Sequence, residues 1–157
     1  MQVKMGVYLE MPHSYLAMTR RSQYVDKHVH EGQEGTRLRV KPGDAKYLFV
    51  YPFVKTREWY GIDPKERWRI MQEHIRVGRE YPSIDLNTSY SFGLDDQEFV
   101  VAFEGDDPGE FLDLVQELRP TESSAYTERE TPIFTCVAMS VERALNALDG
   151  ATLHIAA

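Results

Sequence analysis

This chain of 157 residues predicts an α+β fold, an antiparallel sheet with helices on one of its faces. Three observations carry that expectation. Aromatic and β-branched runs fall into hairpin-like pairs, proline-led helix starts stand between them, and no glycine-rich phosphate loop follows a strand. The order reads β β α β β α β α, as in a sheet assembled from hairpins and not in a doubly wound parallel sheet.

The first strand is predicted within 14–29, where Tyr15, Leu16, Ala17, Met18, Tyr24 and Val25 mix with Arg20, Arg21 and Gln23. A polar loop, His28-Val-His-Glu-Gly-Gln-Glu-Gly35, and a turn, Lys41-Pro-Gly-Asp44, come next. The second strand covers 46–55. Pro52 inside it implies an edge position, a bulge or the end of regular pairing, because proline has no N–H for a ladder. Asp63-Pro-Lys-Glu66 then starts a helix that runs to about Arg79: Asp63 caps, Pro64 fits the first turn, and Glu66 can close a capping box. Trp68, Met71, His74, Ile75 and Gly78 recur at helical steps, so this stripe is predicted to face inward and to take His74 with it.

From 84 to 92 apolar and polar residues alternate, a period of two that sets Asn87 on the polar face of a strand. Gly93-Leu-Asp-Asp96 turns the chain into the apolar run 99–103, the second arm of a hairpin. Asp107-Pro-Gly-Glu110 repeats the cap-and-proline signal, and Phe111, Leu112, Leu114, Val115 and Leu118 form a broad apolar helical face ending near Pro120. A last strand within 125–139 and a short amphipathic helix, 140–148, precede a loose tail, 150–157.

The length and a hydrophobic share of 42% suit one domain spanning 1–157, and nine Tyr, seven Phe and two Trp give it aromatic bulk for a core. A net charge of −7 argues against nucleic acid as a partner, while leaving room for a local basic pocket around a small anion. Cys136, the single cysteine, cannot form an intramolecular disulfide, and its apolar neighbours predict a buried, inert thiol. No apolar run approaches the roughly 20 residues of a spanning helix, and the opening Met-Gln-Val-Lys-Met-Gly lacks an apolar signal core. These features together predict a soluble, cytoplasmic protein.

Five histidines make a metal site worth weighing. His28 and His30 stand in a polar loop without a carboxylate pattern beside them, and His13 and His154 lie near the ends of the chain. His74 differs, because an imidazole on a buried stripe must be hydrogen-bonded or ligated to offset its desolvation. Pattern alone leaves a satisfied core histidine and a metal ligand both open. No Gly-x-Ser-x-Gly elbow, Walker loop or His-Glu-x-x-His motif occurs, and the paired aspartates 95–96 and 106–107 read as turn and cap residues. The stretch Tyr51-Pro-Phe-Val-Lys55-Thr-Arg-Glu-Trp59-Tyr60 packs phenol, ammonium, guanidinium and indole together at a strand end. Such a group can clamp a carboxylate against a flat ring, or be an aromatic strand end with solvated charges.

Taken together, Ser14-Tyr-Leu-Ala-Met-Thr-Arg-Arg21, Tyr51-Pro-x-x-Lys55, Trp59-Tyr60, His74-x-x-x-Gly78-Arg79, Gly93-Leu-Asp-Asp96 and Leu118-Arg-x-Thr-Glu122 resemble the chlorite dismutase-like haem proteins. Within that family the coproheme decarboxylase branch is the better match. The resemblance implies a ferredoxin-like fold of the dimeric α+β barrel type and makes His74 the proximal ligand of haem iron. Asn87 and Ser123 stand where chlorite dismutases carry a distal arginine and a glutamate bonded to the proximal histidine. An oxyanion would lose electrostatic stabilisation without that arginine, and the imidazole would be a weaker donor without that carboxylate. Tyr51 matches the decarboxylase tyrosine beside the reactive propionate, and Lys55 the lysine that supports a second one. By the same resemblance Arg37, Trp59, Asn87, Arg119 and Ser124 line the cofactor pocket.

The implied reaction uses iron coproporphyrin as substrate and cofactor and hydrogen peroxide as oxidant. Tyr51 takes hydrogen from a propionate, which loses carbon dioxide to leave a vinyl group; a second round yields haem b. A chlorite-decomposing or peroxidase-like haem oxidoreductase, or a haem-binding module without turnover, are the alternatives. Many members carry an additional N-terminal half of the same type, and residues 1–11 resemble the junction after it. Homo-oligomers, pentamers for long forms and dimers for short ones, are implied as well.

Overall fold

A computed structural model describes residues 10–20, 22, 24 and 43–148 of the chain. The elements are β1 (Tyr47–Lys55), α1 (Arg57–Gly61), α2 (Pro64–Gly78), β2 (Asp85–Tyr90), β3 (Phe99–Gly105) and α3 (Pro108–Leu118). A short 3-10 helix (Glu122–Tyr126), β4 (Thr127–Arg129), β5 (Phe134–Val137) and α4 (Val141–Leu148) follow. This is the predicted α+β architecture.

The central strand is β1. Its pairing with β3 runs antiparallel from Tyr47↔Gly105 to Phe53↔Phe99, and β2 pairs antiparallel with β3 beyond it. On the other flank β5 pairs with Tyr47 to Val50 and β4 with Val54 and Lys55, where the register shifts. Pro52 lies between those two pairings, so β1 is flanked on both sides and tolerates its proline where one ladder is interrupted.

Residues directly opposite in a ladder share a face. Phe49 and Tyr51 therefore stand with Phe103 and Val101 on one face, and Val50 stands with Ala102 and Asn87 on the other. Helix α3 lays Phe111 and Leu114 on the first face, where the Phe49 and Phe111 rings stack at 3.9 Å. Burial of each such side chain is worth about 1.5–3 kcal/mol, which makes this face the core.

Both helix starts behave as the sequence predicts. Asp63 accepts a hydrogen bond from Lys65 N at 2.9 Å and Asp107 one from Gly109 N at 2.7 Å. Glu66 does not close a capping box, because its carboxylate is held by Arg69 at 2.7 Å. The buried stripe of α2 is also differently phased: Ile70 and Val77 are buried, His74 lies between them, and Trp68 is 51% exposed. A single aromatic on the neighbouring face misled the periodicity. Leu112, likewise assigned to an apolar face, is 60% exposed beside buried Phe111 and Leu114.

Two predicted strands need correction. In the described part of 14–29, Met18 forms one antiparallel bridge with Tyr90 and no continuous ladder. Leu16 is held instead by side chains, its N–H donating to Asp95 at 2.6 Å and its carbonyl accepting from Ser91 at 2.7 Å. The last strand is divided into the 3-10 helix, β4 and β5, with Pro132 in the break between the two strands. Gly93 has φ +72°, a conformation that favours glycine and that turns the chain after β2. No described helix is long and apolar enough to cross a membrane.

Candidate functional site

Helix α2 sets His74 on the same face as Ile70 and Val77, at steps of four and three residues, and so half-buries the imidazole. Its Nδ1 lies 3.3 Å from the Thr121 hydroxyl, in the segment leading into the 3-10 helix. Burial pushes the imidazole down to about 4, with the Lys55 charge adding to the effect, so the ring is neutral at pH 7. A neutral imidazole is the form that binds a metal. No hydrogen bond joins Nε2 to any described residue.

Lys55 ends β1 and points into the same group. Its Nζ donates to the Ser123 carbonyl at 2.7 Å and to Ser123 Oγ at 3.1 Å, and lies 4.8 Å from the Trp59 ring centroid. Burial lowers this ammonium to about 8 against the opposing charges of Glu130 and Glu98. An ammonium has three N–H donors, so among the described residues one is left for an anion. Ser123 Oγ also reaches Met71 Sδ at 3.3 Å, which ties Lys55 to α2. Trp59, buried on α1, packs on Tyr126 at 5.4 Å and closes the other side. The strand end itself is fixed by Glu98, whose carboxylate accepts from Lys55 N at 2.8 Å and from the Tyr60 hydroxyl at 2.5 Å.

Tyr51 precedes Lys55 by four positions in β1, and its ring stacks on Phe103 at 6.1 Å. Its hydroxyl makes no hydrogen bond to a described residue. Burial foremost, then the Glu130 carboxylate, raises its pKa, while Arg119 acts in the opposite direction. Arg119 and Glu130 form an ion pair. Ser124 sits one turn away, with its hydroxyl donating to the Leu118 carbonyl at 2.6 Å.

Tyr51, Lys55, Trp59 and His74 thus lie around the Leu118 to Tyr126 segment, which itself carries Arg119 and Ser124. Asn87 does not join them. By strand register it occupies the opposite sheet face from Tyr51, and its amide reaches Glu104 at 3.5 Å. Its alternating neighbours already set it on that polar face. Arg37, His28, His30 and His154 lie outside the described residues, as do 1–9 of the junction-like segment and the tail 150–157. Ser123 makes no hydrogen bond to His74 and serves Lys55 instead. Cys136 is half-buried on β5, less enclosed than its apolar neighbours implied.

Thr121 and Glu130 were not singled out by sequence reasoning. Thr121 belongs to Leu118-Arg-x-Thr-Glu122, but its contact with His74 joins positions 47 apart, which no local pattern encodes. On the same helix Arg67, two turns before His74, has a buried Nε with no hydrogen-bond partner among the described residues.

The family model for chlorite dismutase matches residues 1–139. The chain is 36% identical over 129 residues to the coproheme decarboxylase of Mycolicibacterium smegmatis, covering 82% of this chain and 53% of that protein. It is 29% identical over 134 residues to the coproheme decarboxylase of Staphylococcus carnosus, covering 79% and 54%. The solved structure of a heme-binding protein from Thermus thermophilus superposes with a TM-score of 0.65 at 33% identity, covering 73% and 48%. The chain spans about half the length of these relatives. On this match of sequence and architecture, the chain belongs to the chlorite dismutase family and has its ferredoxin-like α+β fold.

Proposed function

We propose that this chain binds an iron porphyrin through His74 and takes part in the peroxide-dependent decarboxylation of coproheme to haem b. One observation carries the reading: a neutral imidazole, an ammonium and a phenol hydroxyl gather around one segment, one ammonium donor and the phenol hydroxyl being without a partner among the described residues. The residues present fit the group. Among the described residues no cluster of three or more His, Cys, Asp or Glu could hold a bare metal ion. An iron porphyrin needs none, because the macrocycle carries the iron and a single side chain, here His74, would suffice to hold it. The relatives named coproheme decarboxylases support the choice of substrate.

Bound iron porphyrin supplies the redox chemistry with hydrogen peroxide. His74 would hold the iron, with Nε2 as the atom that makes no hydrogen bond to a described residue. Lys55 gives its remaining N–H to a propionate oxygen and fixes that arm, while Arg119 and Ser124 are assigned to further propionates. Trp59 walls the pocket beside Lys55, and Arg37 remains assigned to a propionate-contacting or pocket position by resemblance, whereas Asn87, on the opposite sheet face from Tyr51, is left out. Burial keeps the Tyr51 hydroxyl protonated at neutral pH, so it carries a hydrogen to give up and later recover from the propionate β-carbon. The propionate carboxylate leaves as carbon dioxide and a vinyl group remains. Each round consumes one peroxide and one proton and releases two waters, and two rounds convert coproheme to haem b.

The proposed setting is the cytoplasm, and the proposed assembly is a homo-oligomer, dimer or pentamer. The sheet face carrying Leu48, Val50, Val54, Val100 and Ala102 is only half-buried in one copy, which gives such an assembly apolar surface to cover.

The test is to load the chain with ferric coproheme, titrate hydrogen peroxide, and follow the Soret band and product mass. Loss of two carboxyl groups as carbon dioxide, with Tyr51→Phe binding coproheme but forming no product, is the expected result. Binding with bleaching alone, in the parent as in the variant, overturns decarboxylation in favour of a haem-binding module.

A further inference from the structure

We infer that Thr121 is a positioning residue that fixes the tautomer and ring plane of His74, leaving the Nε2 lone pair as the free one. The argument rests on counting hydrogens. The Leu118 carbonyl accepts from Thr121 Oγ1 at 2.7 Å and from Ser124 Oγ at 2.6 Å. Each hydroxyl has one hydrogen, and the contacts to that carbonyl, 2.7 and 2.6 Å, are the short ones against 3.3 Å between the hydroxyls and to Nδ1, which assigns both hydrogens to the carbonyl. Thr121 Oγ1 therefore meets His74 Nδ1, 3.3 Å away, with a lone pair, so Nδ1 is the donor. A neutral imidazole has one N–H, and placing it on Nδ1 leaves Nε2 bare.

The device is rigid at its base. Thr121 is buried, and its backbone N–H also donates to the Leu118 carbonyl, at 3.1 Å. The second hydroxyl, on Ser124, lies 3.3 Å from Thr121 Oγ1, so neither side chain can rotate without disturbing the other. A neutral hydroxyl orients the ring without the negative charge a carboxylate partner would bring. Ser123, two positions on, is occupied with Lys55 and does not share the task.

The consequence for an iron porphyrin rests on the function proposed above, whereas the tautomer itself does not. In the metal-free protein, long-range ¹H–¹⁵N correlation of the His74 ring at pH 7 is expected to show a protonated Nδ1 and an unprotonated Nε2. Thr121→Val is expected to move the ring toward the Nε2–H form, and Thr121→Ser to restore the parent pattern. A parent ring protonated on Nε2, or a valine variant identical to the parent, overturns the inference. The parent spectrum decides the matter even if the valine variant does not fold.

Ferric haem titration separates the two claims. With haem binding real, Thr121→Val weakens it by roughly 10-fold or more and Thr121→Ser stays near the parent. A parent with the expected tautomer and no haem binding sinks the function and leaves the inference standing; haem binding with the tautomer unmoved by valine does the reverse.

Discussion

At the scale of single residues, the imidazole of His74 ties stability to pH. Its pKa is pushed down to about 4 in the folded chain from the ordinary 6.5. Between those values the unfolded chain binds the proton first, so stability present above pH 6.5 is lost as pH falls toward 4. Urea unfolding at pH 7 and pH 5 is expected to show a loss of about 2 kcal/mol from this group, absent in His74→Leu. Tyr51 gives a contrasting prediction. Its hydroxyl has no hydrogen bond to a described residue, so Tyr51→Phe is expected to change stability by under about 1 kcal/mol in the same assay. The candidate site was partly legible in the sequence at this scale. His74, Tyr51 and Lys55 stand in local motifs, whereas the Thr121 and Glu130 contacts join distant segments and emerge only when α2 and β1 meet the 3-10 helix.

At the scale of elements, helix starts were the most legible feature because their chemistry is local. Asp63 and Asp107 each bind an N–H two residues ahead, at 2.9 and 2.7 Å. Replacement of either by Ala is expected to cost about 1 kcal/mol by chemical denaturation, and Asp63→Ala also loosens the helix that presents His74. Helix phase was less legible. Trp68 looked like part of a buried stripe and is exposed, because apolar residues on adjacent helical faces give the same spacing until a partner selects one. The strand predicted over 125–139 failed for a related reason. A run of strand-forming residues does not reveal that the 3-10 helix extends to Tyr126 or that Pro132 stands in the break between β4 and β5.

At the scale of the molecule, hairpin-like pairs of apolar runs, helix starts between them and the lack of a glycine-rich phosphate loop were enough to assign the fold class, and the ladders of β1, β2 and β3 sort the side chains into a core face and a second face. Phe111 joins α3 to that core against Phe49 and Phe103, so Phe111→Ala is expected to cost about 3–5 kcal/mol in urea unfolding. The central claim is that this fold presents His74 to an iron porphyrin. Its most direct test is an anaerobic resonance Raman measurement of the ferrous porphyrin complex of the parent and of His74→Ala. An iron–histidine stretching band in the parent that disappears in the variant is the predicted result. The same band in both, or its absence from a parent that binds the porphyrin, would contradict the account.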